Sequence, residues 1–391
     1  MNKIFRWMTF FITAMILAAN QLPAKAAEQK SPHLESEAAV LIDSKSGQIL
    51  DAKNSRSKMS PASITKVATA IYAIEKGNLN DEVTVSQKAR NVDGTRVYLE
   101  AGERVTLKHL IQGLLINSGN DAGVAIAEHM SGSTEAFAKD LNAYLANEIG
   151  VKHTHFTNPH GLYNPEHYTT AEDMAIITKH ALQYPEFRKI FGTVKLKWTG
   201  EKWKTTLYNH HRLLHEHYSN ITGGKNGYVA QAGFTLVTAA EKNGLNLIAV
   251  TLKAPSDQAS YDDTIRLLND GFSHFQSGRI SNSIAFENDQ GKEFHLKEPL
   301  FYTKRKNETI KTNVTSAGVL EVKGEDGRVL TSSSLEPDKK QMKEKLLSAA
   351  TVSKDVSPSA ILTSHFHWVI LLSIVFVMLF GAVFFLQAKR L

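Results

Sequence analysis

Two hairpin signals bracket the middle of this chain and constrain its fold more than any other feature. Ala38 to Asp43 and Gln48 to Lys53 are strand-like runs joined by Ser44-Lys45-Ser46-Gly47. Far downstream, Phe234 to Ala240 and Leu245 to Leu252 flank Lys242-Asn243-Gly244, where Asn-Gly favours a tight turn. A helix is predicted from Pro61 to Lys76, with Ser60 as its cap and Gly77 as its stop. From about Asn78 to Gly192 the apolar spacing is mainly helical. There Thr106 is predicted to cap a helix to Ile116 and Asp121 another to about Met130, and Thr169-Thr170-Ala171-Glu172 has capping-box spacing. A last helix is expected from Asp262 to Phe275. This order implies an α+β domain: an antiparallel sheet flanked by helices, with strands from both ends of the segment and a helical insertion between them.

The ends carry targeting signals. Residues 1–26 read as a signal peptide, with Lys3 and Arg6 before an apolar run and Ala24-Lys25-Ala26 as a small-x-small cleavage site. Trp368 to Leu386 is apolar and uncharged, almost long enough to span a hydrocarbon core, and Lys389 and Arg390 favour a cytoplasmic tail. The expected layout is a catalytic domain over 27–277, a small β-rich domain over 278–335 with short runs broken by turns, a stalk over 336–366, a transmembrane helix over 367–387 and a tail over 388–391. The catalytic part is then expected on the extracytoplasmic face of a bacterial membrane, held by a C-terminal single-pass anchor.

That layout changes the meaning of the charge. The formal net charge is +6, from 45 basic and 39 acidic residues. Lys3, Arg6, Lys25, Lys389 and Arg390 all lie in the end segments, which hold no acid, so the exported part is close to neutral. A nucleic-acid footprint is not supported. The chain has 0 cysteines, which excludes disulfides, thiolate nucleophiles and cysteine-ligated metals.

Three short stretches could carry chemistry. In Met59 to Ala70, Ser63 falls in the first helical turn and Lys66 one turn on, on the same face. The lysine amine could take the serine proton, and the serine N–H, unpaired at a helix start, could hold an oxyanion. The lysine must be neutral to do this, through burial and a neighbouring positive charge. A solvated helix face has the same pattern. Ser118-Gly119-Asn120 lies in a tight break between two apolar helices, where it is either a connecting turn or a hydroxyl and amide positioned for a leaving amine and a peptide carbonyl. Lys225 precedes Asn226-Gly227 and a strand pattern, which excludes a phosphate-binding P-loop and leaves a turn lysine or a site lysine.

Ser-x-x-Lys, Ser-x-Asn and Lys-x-Gly, in that order, resemble the serine D-alanyl-D-alanine carboxypeptidases, the low-molecular-mass penicillin-binding proteins. Pro61-Ala62-Ser63, Ser118-Gly119-Asn120-Asp121, Asn158-Pro159-His160-Gly161-Leu162, Thr170-Ala171-Glu172-Asp173-Met174 and Ala232-Gly233 extend the resemblance over roughly Ser36 to Gln276. It implies the DD-peptidase fold, no cofactor, and peptidoglycan stem peptides and β-lactams as partners. It also implies Ser63 as acyl-ester nucleophile, Lys66 as proton acceptor, Ser118 as proton relay and Asn120 as a substrate-backbone contact. Lys225 would supply positive charge, Asn226 and Gly227 would line the substrate site, and the N–H of Tyr228 would complete the oxyanion hole with that of Ser63.

The sequence departs from the family at Asn226 and Val229, where the family usually has Thr in Lys-Thr-Gly-x-Thr. Two hydroxyls for the substrate carboxylate are therefore missing, and weakened turnover is expected. The alternatives are a catalytically weak, membrane-anchored wall-binding or regulatory homologue, or, with less support, a class A-like β-lactamase, which needs a further carboxylate, normally in Glu-x-x-Leu-Asn; Glu166 is followed by His-Tyr-Thr-Thr and Glu172 reads as a helix-start acid. His211 and His215 stand four apart but lack the glutamate of His-Glu-x-x-His, so no metal site is expected, and His160 reads as a packed turn residue.

Overall fold

The computed structural model describes residues 31–337 except 216, 217, 219, 289 and 290. The predicted signal peptide, most of the stalk, the transmembrane helix and the tail lie outside these residues. Among the described residues, no helix is long and apolar enough to cross a membrane.

Five antiparallel strands form the main sheet: β1 (Ala38–Asp43), β2 (Ile49–Lys53), β3 (Ile221–Val229), β4 (Gly233–Lys242) and β5 (Leu245–Ala254), in the order β2-β1-β5-β4-β3. The two hairpins thus join through β1 and β5, with Val40 opposite Val250 and Leu41 opposite Ala249. The β4–β5 turn is closed by Asn243 and Gly244, both at positive φ (51° and 80°), as a two-residue hairpin with right-handed strand twist requires. All six residues of β1 are buried because both faces of the sheet are covered. Ala38, Val40 and Ile42 enter one core and Ala39 and Leu41 the other.

The first core holds the helical insertion. Its main helices are α1 (Thr65–Lys76), α2 (Leu107–Ile116), α3 (Asn120–Ser131) and α4 (Ala171–Ala181). The second core packs Leu267, Leu268 and Phe272 of α5 (Asp257–His274) on the opposite face. The insertion is not wholly helical: Glu82–Thr84 pairs with Arg104–Thr106, and Lys195–Thr199 with Lys204–Tyr208.

Thr106 caps α2 as predicted, accepting from His109 N. Three other start signals are corrected. Ser60 caps nothing: its hydroxyl is buried without a partner, and the chain enters α1 through a 3-10 turn, Ala62–Ile64, with Ala62 at φ 49°. This left-handed residue carries the chain into the helix by a route that leaves Ser60 without a capping bond. Asp121 lies inside α3, which starts one residue earlier with Gly119 at the cap. Its carboxylate accepts instead from Val97 N and Leu99 N, in addition to the adjacent Ala122 N. At α4 the cap is Thr170, which accepts from Asp173 N, while the Glu172 side chain, in the first turn, pairs with Arg56. Helix α5 begins at Asp257, earlier than predicted, because Ser256 caps it through Ala259 N.

The described chain divides into two compact units. One holds the described residues to Arg279 with Phe301–Ile310 and Gly324–Thr331, and includes the main sheet and all the helices above. The other holds Ile280–Leu300, Lys311–Lys323 and the described residues from Ser332. Within it, Ala285–Glu287 pairs with Glu293–His295 and Lys311–Val314 with Val319–Lys323, around buried Phe294, Leu320 and Val322.

Candidate active site

The fold brings the three sequence stretches toward one another. Ser63 sits in the 3-10 turn ahead of α1, and Lys66 follows in the first turn of that helix. Lys66 Nζ lies 2.9 Å from Ser63 Oγ and donates to the His160 carbonyl at 2.7 Å. The lysine is fully buried (0% exposed). Burial, and then the nearby Lys225, hold its amine well below the ordinary lysine range, while Asp121 opposes them. Both effects favour the uncharged amine that a base at this position would need.

Lys225 lies on β3 and is also buried. Burial alone pushes its amine down to about 7. It donates to the Asn226 carbonyl at 2.8 Å, with Asn226 Oδ1 3.5 Å away. Tyr228 is exposed and stacks obliquely on Phe234 across the β3–β4 ladder.

Gly227 marks the closest approach of β3 to Ser63. A Cβ on it would stand 2.6 Å from Ser63 N and 2.7 Å from Thr235 Oγ1, so only glycine fits without displacing backbone. Thr235 Oγ1 donates to Pro61 O at 2.8 Å, tying β4 to the turn that carries the serine.

Ser118 sits in the break between α2 and α3 at φ 60°, buried, as an outlier that a serine adopts only under local constraint. Asn120 begins α3, and its side-chain amide donates to Asp93 O at 2.6 Å. Asp121 is fully buried, and desolvation raises its carboxyl even though backbone N–H groups hold it. It ties the 97–99 loop to the start of α3 and so fixes the segment that presents Ser118 and Asn120.

The Asn158-to-Leu162 stretch forms the floor. Asn158 Oδ1 accepts from His160 N and Gly161 N, and Pro159 O accepts from Thr69 Oγ1. The His160 ring is buried, and burial with Lys66 nearby pushes it to about 3, so the ring is uncharged at neutral pH. What this histidine offers Lys66 is its backbone carbonyl, and His160 is a packed turn residue, as the sequence suggested.

The other histidines are dispersed. His211 is buried beside Thr238 Oγ1 at 2.8 Å, in the space a side chain on Gly224 would fill, and His215 Nε2 donates to Asn209 O at 2.6 Å. Among the described residues, no group of three His, Asp or Glu side chains could hold a metal. No sequence motif marks Thr65 and Thr235, which donate to the carbonyls of Ala62 and Pro61 beside Ser63, or His167, whose ring bonds Thr65 Oγ1. Glu166-His167-Tyr168-Thr169-Thr170 offers a carboxylate and a helix-start signal, but its histidine shows no period or motif.

Residues 24–256 match the family described as D-alanyl-D-alanine carboxypeptidase. Among curated relatives, the D-alanyl-D-alanine carboxypeptidase DacF of Bacillus subtilis is 38% identical over 250 residues, covering 62% of this chain and 64% of that one. DacD of Salmonella typhimurium is 32% identical over 291 residues, covering 70% of this chain and 73% of the relative. Penicillin binding protein 5 from Haemophilus influenzae has a solved structure that matches with a TM-score of 0.71 and 29% identity, over 79% of this chain and 98% of that one. With Ser63, Lys66, Ser118, Asn120, Lys225 and Gly227 in place, the chain belongs to the D-alanyl-D-alanine carboxypeptidase family.

Proposed function

We propose that this chain removes the terminal D-alanine of peptidoglycan stem peptides as a serine-type D-Ala-D-Ala carboxypeptidase, through an acyl-enzyme on Ser63. The observation that carries this reading is the buried Lys66 amine 2.9 Å from Ser63 Oγ. Neutral Lys66 takes the hydroxyl proton as Oγ attacks the carbonyl carbon of the penultimate D-alanine. The oxyanion is held by the N–H groups of Ser63 and Tyr228. Ser118 relays the proton held by Lys66 to the leaving D-alanine nitrogen, the C–N bond breaks, and water then cleaves the Ser63 ester and restores the serine hydroxyl. Asn120 holds the substrate backbone, and Lys225 with Asn226 and Gly227 receives the carboxylate end. A β-lactam meets the same attack and acylates Ser63.

The test is covalent labelling of the purified full-length chain by a fluorescent penicillin, together with D-alanine release from a diacetyl-Lys-D-Ala-D-Ala type peptide. Both should be lost in Ser63→Ala. Wild type that neither labels nor releases D-alanine sinks the reading.

Val229 and Asn226 favour a second reading, a catalytically weak wall-binding or regulatory homologue. Val229 has no hydroxyl, and Asn226 Oδ1 lies within 3.5 Å of Lys225. In that case D-alanine release from wild type would match that of Ser63→Ala while labelling persisted. A β-lactamase reading has less support: Glu172 is engaged by Arg56 at 2.9 Å, and Glu166 is exposed. The Trp368-to-Leu386 run is proposed as the anchor, and residues 1–26 as the export signal, that together hold the catalytic part on the extracytoplasmic face. Release of the chain from membranes after truncation at Thr363 would support that placement, and retention would count against it.

A further inference from the structure

The peptide unit between Ala62 and Ser63 is held at both ends. On its amide side Gly227 lies against Ser63 N. On its carbonyl side Gly161, at φ 90°, packs so tightly that a Cβ would stand 1.8 Å from Ala62 O. Ala62 itself is left-handed at φ 49°, a conformation that is unfavourable for a residue with a Cβ. The surroundings must therefore supply a compensating hold.

That hold is a chain of hydrogen bonds with one direction. Thr157 N donates to His167 Nδ1 at 2.9 Å, so Nδ1 is bare and the ring proton sits on Nε2. Nε2 lies 2.9 Å from Thr65 Oγ1 and must donate to it. Thr65 Oγ1 has one proton, which it gives to Ala62 O at 2.8 Å. His167 is buried and stacked on Phe156 at 5.0 Å, and burial, with His155 and Lys66 nearby, pushes its ring to about 3, so the ring is neutral at neutral pH and the Thr157 bond sets its tautomer.

We propose that His167 is a positioning residue for acylation: through Thr65 it fixes and polarises the Ala62–Ser63 peptide, whose N–H faces the developing oxyanion. The carbonyl and N–H of one peptide unit are rigidly opposed, so anchoring the carbonyl sets the direction of the amide. A carbonyl that accepts a hydrogen bond, itself strengthened from behind, also makes its amide a better donor. His167 touches neither substrate nor Ser63 Oγ in this role. The inference rests on the reading of Ser63 as the acylated serine.

Two pairs of variants of the full-length chain separate this role from plain packing. Glutamine can place an amide N–H near the Nε2 position and asparagine an oxygen near Nδ1. His167→Gln thus keeps the donor to Thr65, and His167→Asn keeps only the acceptor for Thr157 N. Thr65→Ser keeps the hydroxyl, and Thr65→Val replaces it with a methyl of similar shape. Labelling rates with a fluorescent penicillin are expected to stay within about threefold of wild type for His167→Gln and Thr65→Ser. They should fall about tenfold or more for His167→Asn and Thr65→Val. The loss should appear in the first-order acylation step rather than in the concentration dependence, and in kcat rather than KM for D-alanine release. Equal rates for the two His167 variants, or for the two Thr65 variants, overturn the proposal. If His167→Asn fails to fold, the Thr65 pair decides alone. Wild type that does not label at all overturns the reading of Ser63 and this proposal with it.

Discussion

Gly227 and Ser63 meet backbone to backbone, with room for no side chain between them: a Cβ on Gly227 would come within 2.6 Å of the serine amide nitrogen. The Lys-x-Gly glycine is therefore a steric requirement of the Ser63 turn and not a requirement of β3 itself. Gly227→Ala is expected to push the two segments apart and misdirect the Ser63 N–H. Acylation should then fall on the order of a hundredfold, the size seen when one oxyanion donor is lost. Penicillin labelling kinetics and a thermal melt, run side by side, would show whether activity is lost while the fold is kept.

Lys225 is a buried cation with an amine near neutrality, and its stability effect has a definite sign. Its folded pKa, about 7, lies below its unfolded value. Between the two values the unfolded chain binds the extra proton, so this residue's contribution to stability falls as pH drops through that window and stays unfavourable below about 7. Lys225→Met, which removes the buried amine, is therefore expected to stabilise the protein at pH 6 by about 2 kcal/mol while suppressing D-alanine release. Denaturant melts at pH 6 and pH 9 should show a gain that shrinks at the higher pH, and a gain independent of pH would count against the account.

The same titration predicts the form of the activity profile. If the positive charge of Lys225 receives the substrate carboxylate, KM should rise as pH climbs past about 7 and the free enzyme loses that charge. Lys225→Arg keeps its charge throughout, and should show a flatter KM profile even if its kcat is lower. Parallel KM profiles in the two enzymes would rule out a carboxylate role for the charge.

Asn226→Thr with Val229→Thr should raise D-alanine release by about tenfold or more, the value of a regained charge-assisted hydrogen bond felt in the transition state. Penicillin labelling and peptide turnover measured together would show whether the gain extends to both substrates. No gain in either would mean that other groups already satisfy the carboxylate.

Asp121 holds a loop and caps no helix. Asp121→Ala would leave Val97 N, Leu99 N and Ala122 N without their buried acceptor, at a cost of about 2–4 kcal/mol. Amide exchange at Val97 and Leu99 should speed up markedly, with Asn120 losing its fixed bond to Asp93 O. Unchanged exchange at those two amides would refute the tie.

Four of the five sheet strands were legible because their information is local: alternating apolar residues, with Ser44 to Gly47 in one case and Asn243-Gly244 in the other, specify the two hairpins, and the burial of all of β1 follows once helices cover both faces. The strand β3 was not, since Lys225-Asn226-Gly227 reads as a segment ahead of a strand but lies within one. Ser63, Lys66, Ser118, Asn120 and Lys225 were legible through spacing and order. The entry into α1 was not, because the left-handed turn at Ala62 is imposed by Gly161, Thr65 and His167, partners distant in the chain or unmarked by any pattern. Asp121 was illegible for the same reason: its position fits a cap, but two of the amide donors that fix its role, Val97 N and Leu99 N, lie in a loop far upstream.

The place of β3 at the edge of the sheet has a consequence of its own. Among the described residues its one sheet neighbour is β4, so no strand pairs with the outer edge of the strand that carries Lys225 and Gly227. An extended peptide laid along it would extend the sheet by one strand, and its grip would come from main-chain bonds that do not depend on side-chain identity. Selectivity would then fall to the few side chains at that edge, Asn226 and the exposed Tyr228 first among them.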